Sequence, residues 1–99
     1  MLRIIVKMNH QDSNMQFDND LTQNINKIHT TELGIERIVR NLHLKTDDVV
    51  NWCRQKIYQA DEIIRKGKNW YVYTDDSVIT VNAHSYTIIT AHKNSAKND

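Results

Sequence analysis

Apolar residues in the first half of this chain recur at helical steps, and those in the second half fall into short β-branched and aromatic runs. Behind Asp20, which can cap a helix, Leu21, Ile25 and Ile28 are spaced like one face of a short helix. Thr31, with Glu32 in the following turn, opens a second helix. Its Ile35, Ile38, Val39 and Leu42 form a stripe that should face the core. Gly34 costs about 1 kcal/mol relative to Ala inside a helix, so it marks either a loose first turn or the close approach of another backbone. A third helix starts at Thr46, where Asp47 and Asp48 complement the positive end of the dipole. Val49, Val50, Cys53 and Ile57 make its inner face, and Trp52 flanks it.

Beyond Tyr58 the runs Glu62-Ile63-Ile64-Arg65, Trp70-Tyr71-Val72-Tyr73, Val78-Ile79-Thr80-Val81 and Tyr86-Thr87-Ile88-Ile89-Thr90 read as strands. Gly67, then Thr74-Asp75-Asp76-Ser77, then Asn82-Ala83-His84-Ser85 separate them, each short enough to join antiparallel neighbours. The expectation is a single α+β domain: about three N-terminal helices followed by a four-stranded antiparallel sheet, joined as a meander. It divides into an N-terminal strand or tail with a polar loop over residues 1–20, the domain proper over 21–93, and a disordered tail over 94–99. Leu2 to Met8 is open between an edge strand, a short helix and a partly ordered tail.

Composition narrows the class. With 99 residues, 39% hydrophobic and 25% charged, the chain can bury one core and does not resemble a disordered segment. Its apolar stretches, such as Ile4 to Val6, are far below a membrane span. The first residues also lack the h-region of a secretion signal, so a cytoplasmic location is expected. The single Cys53 cannot form an internal disulfide and reads as a small core residue. A formal net charge of +1 exerts no global pull on nucleic acid, so a polyanion site would have to be local. The most basic stretch holds Arg54, Lys56, Arg65, Lys66 and Lys68 against Asp61 and Glu62.

Candidate chemistry is sparse. His29 stands where the first helix gives out, just before Thr30 and Thr31, held by a short capped junction; the same position lets a histidine complement the helix dipole with no further role. Arg37 and Arg40 are equally consistent with a solvated helix face. Strict alternation in the last strand places Tyr86, Ile88, Thr90 and His92 on one face, and Thr87, Ile89, Ala91 and Lys93 on the other. His10, His29, His43, His84 and His92 show no close ligand spacing and no Cys pair accompanies them, so no metal or other cofactor is expected. Phosphate-loop, esterase-elbow and paired-carboxylate patterns are absent from the sequence.

Three blocks carry a resemblance: Ile28-His29-Thr30-Thr31-Glu32-Leu33-Gly34-Ile35-Glu36-Arg37-Ile38, Gly67-Lys68-Asn69-Trp70-Tyr71-Val72, and Ser85-Tyr86-Thr87-Ile88-Ile89-Thr90-Ala91-His92-Lys93. By these the chain, from about Leu21 to Lys93, resembles a bacterial family of unknown function. More distantly, a His before an Arg-bearing helix, a further helix and a small sheet ending in Ile-Thr resemble the barnase, EndoU, colicin and RelE-like group of RNases. That second resemblance implies metal-independent RNA cleavage of the toxin or mobile-element type. His29 and His92 would share the base and acid work, with Arg37, Lys66 or Lys68 on the phosphate and Thr90 or Tyr86 orienting it. Trp70 or Tyr71 would stack an unpaired base. RNA and a cognate inhibitor are then the implied partners. Two other functions fit the residues: a non-catalytic module that pairs with another protein through the sheet or its edge, and a binder of RNA or a small ligand without turnover. Oligomeric state is not legible in the residues.

Overall fold

The computed structural model describes residues 20–94. The expected strand or tail at residues 1–20 and the tail at 94–99 lie outside that range but for residues 20 and 94. Three helical segments precede a four-stranded antiparallel sheet, giving the single α+β domain that the periodicities predict.

The first segment is helical at residues 20–23 and tightens into a 3-10 turn at Ile25–Lys27. The expected stripe survives the break in part, since Leu21 and Ile28 are both buried. Helix α1, Glu32–Leu42, is capped by Thr31, whose Oγ1 accepts from Gly34 N at 3.0 Å. Ile38 is buried and Val39 and Leu42 pack against the core, but Ile35 is 37% exposed and lies on the rim. Helix α2, Val49–Tyr58, begins three residues later than expected: the cap is Asp48, whose carboxylate accepts from Asn51 N. Thr46 instead accepts from Asp48 N, closing the preceding turn. Val49, Cys53 and Ile57 are buried as their spacing requires.

The sheet is the expected meander, ordered β1-β2-β3-β4, with β1 Glu62–Lys66, β2 Asn69–Tyr73, β3 Ser77–Asn82 and β4 Ile88–Lys93. Gly67 sits at φ 63° as the first central residue of the two-residue β1–β2 turn, where only glycine is unstrained. One face of the sheet carries Trp70, Val72, Ile79, Val81, Ile88 and Ala91 into the core with Ile38, Cys53 and Ile57. At about 25 cal/mol per Å² of apolar area this burial is the main stabilising term.

Strict alternation fails in β4. Thr80 pairs with Thr90, but Val81 pairs with Ile88, so Ile89 is an extra residue in a bulge. Ile88 and Ala91 therefore share the core face, whereas Thr90 and His92 look the other way beside Thr80 and Val78. Tyr86 stands before the strand, at φ 61°.

The outer edge of β4 is closed by polar groups from the helical half. His29 forms an isolated parallel bridge to Thr87, accepting from Ile88 N at 2.8 Å. Thr30 Oγ1 donates to Ile88 O at 2.8 Å, and Asn41 Nδ2 to Ala91 O at 3.1 Å. Gly34 is explained here: a Cβ at that position would overlap the Thr30 hydroxyl. Gly34 lies in the first turn of α1, one of the two expected settings, and its close neighbour is a side chain rather than another backbone.

Candidate functional site

Strand direction sorts the charges. β1 starts at Glu62 and ends at Lys66, and β2 returns from Asn69, so the β1–β2 turn with Lys66 and Lys68 lies at one end of the sheet. The β3–β4 turn lies at the same end, tied to it by Ala83 N donating to Lys68 O at 2.8 Å. Lys27 joins them, its Nζ 5.5 Å from the centroid of the Tyr86 ring. Asp61, Glu62, Asp75 and Asp76 sit at the opposite end with Lys56 and Lys93. The two ends of a five-residue strand are roughly 13 Å apart. The charged residues of the sheet and its turns are therefore divided along its strands, cations but for Lys93 at one end and carboxylates at the other.

The basic stretch seen in the sequence is redistributed by the fold. Lys56 turns to the acidic end, 3.2 Å from Asp76 Oδ1 and 5.4 Å from the Trp52 ring centroid. Arg54 turns inward, donating from Nη2 to the carbonyls of Ile28 at 3.2 Å and Asn26 at 3.4 Å, which holds the turn ahead of His29. Arg65 lies over the Trp70 ring at 5.6 Å and donates from Nε to Gly67 O. Lys66 and Lys68 remain exposed, and Lys27, also exposed, is added to them from the other half of the chain.

His29 is the best-positioned titratable group at this end. Its Nδ1 lies 3.0 Å from the Lys27 carbonyl, an acceptor only, so Nδ1 carries the hydrogen. Nε2 then faces Thr87 Oγ1 at 3.1 Å, and Thr87 Oγ1 meets Ser85 Oγ at 2.7 Å. Asn82 Oδ1 accepts from the main-chain N–H groups of His84 and Ser85, both at 2.9 Å, and fixes the turn that carries the row. Sequence reasoning named His29 and missed Lys27, Ser85 and Thr87. A parallel bridge between residues 58 positions apart leaves no local pattern to read.

The remaining predicted residues divide. His29, Lys66, Lys68 and Tyr86 share the basic end. His92 does not: it pairs with Val78 near the far end of β4, whereas His29 is bridged to Thr87. Five strand residues put the two imidazoles roughly 16 Å apart, beyond the reach of one phosphate. Thr90 and Tyr71 lie in one cross-strand row with Thr80 on the face away from the core. The Tyr71 hydroxyl accepts from Asn69 Nδ2, and Asn69 Oδ1 beside it is buried without a partner. Arg37 is exposed on α1, between the turns carrying Gly34 and Asn41. Trp70 is 2% exposed between Arg65 and Tyr86, with the Tyr86 ring 5.4 Å away, so it is a core element and cannot stack an unpaired base.

Burial pushes the Cys53 thiol up to about 12, which removes it as a nucleophile. At the acidic end, desolvation raises the Asp76 carboxyl. The Lys56 hydrogen bond and charge, with the Thr74 and Ser77 hydrogen bonds, outweigh that and hold it below its ordinary value. A cleft of about 460 Å³ opens there, lined by Leu42, Leu44, Trp52, Lys56, Asp75 and Lys93, none of them residues singled out in the sequence as a site. Among the described residues no cluster of three or more His, Cys, Asp or Glu could hold a metal ion, and no helix is long and apolar enough to cross a membrane.

Neither the curated proteins nor the solved structures contain a match to this chain. The sequence pattern of one family, described as a protein of unknown function (DUF3781), matches residues 22–92, which takes in α1, α2, the first three strands, β4 as far as His92 and every residue of the basic end. The chain belongs to the DUF3781 family.

Proposed function

We propose that this domain binds single-stranded RNA along the basic end of its sheet. The observation that carries this reading is the gathering of Lys27, Lys66, Lys68 and His29 around two tied turns, with the described carboxylates of the sheet at the other end. Such a surface tracks a phosphate backbone by charge. The polar groups between the cations, from Asn69, Asn82, Ser85 and Thr87, supply donors and acceptors for the 2′-hydroxyls and base edges that an unpaired strand exposes. Tyr71, in the next row of the outer face, offers a ring for stacking.

The test is fluorescence anisotropy with a labelled oligoribonucleotide at low salt. Lys66→Gln with Lys68→Gln should weaken binding at least about tenfold, on the scale of two phosphate contacts. Lys93→Gln, which removes the same kind of charge from the opposite end, should leave it unchanged. Equal losses from both would sink the assignment.

A cleaving activity is the second reading, favoured by one feature: a fixed imidazole, Nε2 outward, within 3.1 Å of a hydroxyl. His29 would then be the proton acceptor and a lysine of the same end would face the phosphate, with His92 taking no part. His29→Ala should abolish degradation of total RNA and His92→Ala should not. An active His29→Ala protein would remove His29 from the reaction, and a wild-type protein that leaves RNA intact would dismiss cleavage without touching binding.

A further inference from the structure

The rim of the basic end is more ordered than contact with a backbone requires. Main-chain bonds hold His29 on both sides, its N–H donating to Tyr86 O at 3.2 Å and its carbonyl accepting from Ile88 N at 2.8 Å. With Nδ1 on the Lys27 carbonyl, the ring cannot turn without losing that bond. Nε2, Thr87 Oγ1 and Ser85 Oγ then stand in an unbroken row at steps of 3.1 and 2.7 Å. Between the two hydroxyl residues, Tyr86 adopts φ 61°, a conformation that residues with a side chain rarely take and that clusters at functional sites. The tyrosine ring turns in against Trp70, and the two hydroxyls come within hydrogen-bonding distance of each other.

We propose that Ser85, Thr87 and His29 form a receptor for a terminal phosphate monoester of the bound strand, an inference that rests on the RNA reading above. A terminal phosphate presents three strong acceptor oxygens and close to two negative charges. The Thr87 hydroxyl hydrogen, which that tautomer aims at Nε2, and the Ser85 hydroxyl hydrogen, shared between Thr87 Oγ1 at 2.7 Å and Asn82 Oδ1 at 3.2 Å, can swing to those oxygens. In the doubly protonated imidazole, Nδ1–H stays on Lys27 O and Nε2–H is the donor left for the anion. Lys27, stacked on Tyr86, and Lys68, whose carbonyl holds the adjoining turn, supply the charge. Lys66 and Asn69, across the β1–β2 turn, receive the following phosphates.

One oligoribonucleotide with an internal label, made with a 5′-phosphate, a 3′-phosphate or neither, separates the possibilities. One phosphorylated form should bind at least about tenfold tighter than the unphosphorylated one, the effect of a charge-assisted hydrogen bond. The form that gains identifies the strand end. That preference should fall below about twofold in Ser85→Ala with Thr87→Val, and separately in His29→Gln. Inorganic phosphate added to the wild-type protein should shift the His29 ring resonances. Three oligonucleotides that bind equally well would overturn end recognition and leave backbone binding standing. Failure of all three to bind would overturn both readings, and a preference that survives in both variants would place the receptor elsewhere.

Discussion

Replacing Gly34 with Ala tests the packing that seats α1 on β4, and its sign runs against helix propensity. In a plain helix the change would stabilise by up to about 1 kcal/mol. Here the new methyl overlaps the Thr30 hydroxyl, which donates to Ile88 O at 2.8 Å and helps close the strand edge. Displacing that hydroxyl gives up a hydrogen bond of about 1 kcal/mol. Forcing a methyl into a filled space costs about 1–3 kcal/mol more. The net is a loss of about 1–3 kcal/mol, or roughly 5–15 °C in Tm for a domain of this size. The double-mutant cycle is the decisive form. Thr30→Ala alone should cost about 1 kcal/mol through the lost bond. With the hydroxyl gone, the nearest remaining neighbours, Thr30 Cβ and Thr31 Oγ1, both lie 3.4 Å from the new methyl. Gly34→Ala should then be neutral or stabilising in the Thr30→Ala background. A coupling of about 1–4 kcal/mol between the two sites is predicted, read from urea unfolding followed by circular dichroism. Strictly additive effects would refute the close approach.

Three further outcomes follow from local chemistry. Because the Asp76 carboxyl is held below its ordinary value in the folded chain, its contribution is present above the unfolded carboxylate pKa and is lost as pH falls through the folded one. Asp76→Asn should flatten the acid limb of the stability profile without changing it at neutral pH relative to pH 5. Cys53, fully buried and with its thiol raised to about 12, should be alkylated by iodoacetamide only at the rate of global unfolding. Rapid native-state labelling would contradict its place in the core. Thr31→Ala removes the α1 cap bond to Gly34 N and should cost about 1 kcal/mol by thermal unfolding, with Thr31→Ser retaining most of the stability.

The fold was readable because its signals are local. Thr31 and the Ile38, Val39 and Leu42 spacing declare α1, and the β-branched runs bounded by Gly67 and by Thr74 to Ser77 declare the meander. Errors arose where distant residues set the local geometry. The bulge at Ile89 breaks the period of β4, and it belongs to the pairing with β3 rather than to any pattern in the strand itself. Trp70 looked like a stacking platform because aromatic character is visible in a sequence, whereas burial between Arg65 and Tyr86 is not. The site was half legible for the same reason. His29, Lys66, Lys68 and Tyr86 drew notice as residue types at turn and helix ends, while Ser85 and Thr87 acquire significance only once the His29 bridge brings an imidazole beside them. The pairing of His29 with His92 joined two residues that β4 itself holds apart.

The central claim is that charge gathered at one end of a nearly neutral domain holds an RNA backbone, and the salt dependence of binding measures it most directly. With single-stranded RNA, log Kd plotted against log salt should be linear for the wild-type protein. Removing both charges in the Lys66→Gln, Lys68→Gln protein should lower its slope by about 1.4, two contacts at about 0.7 each. A wild-type affinity indifferent to salt, or the same slope in the wild-type and doubly substituted proteins, would contradict it.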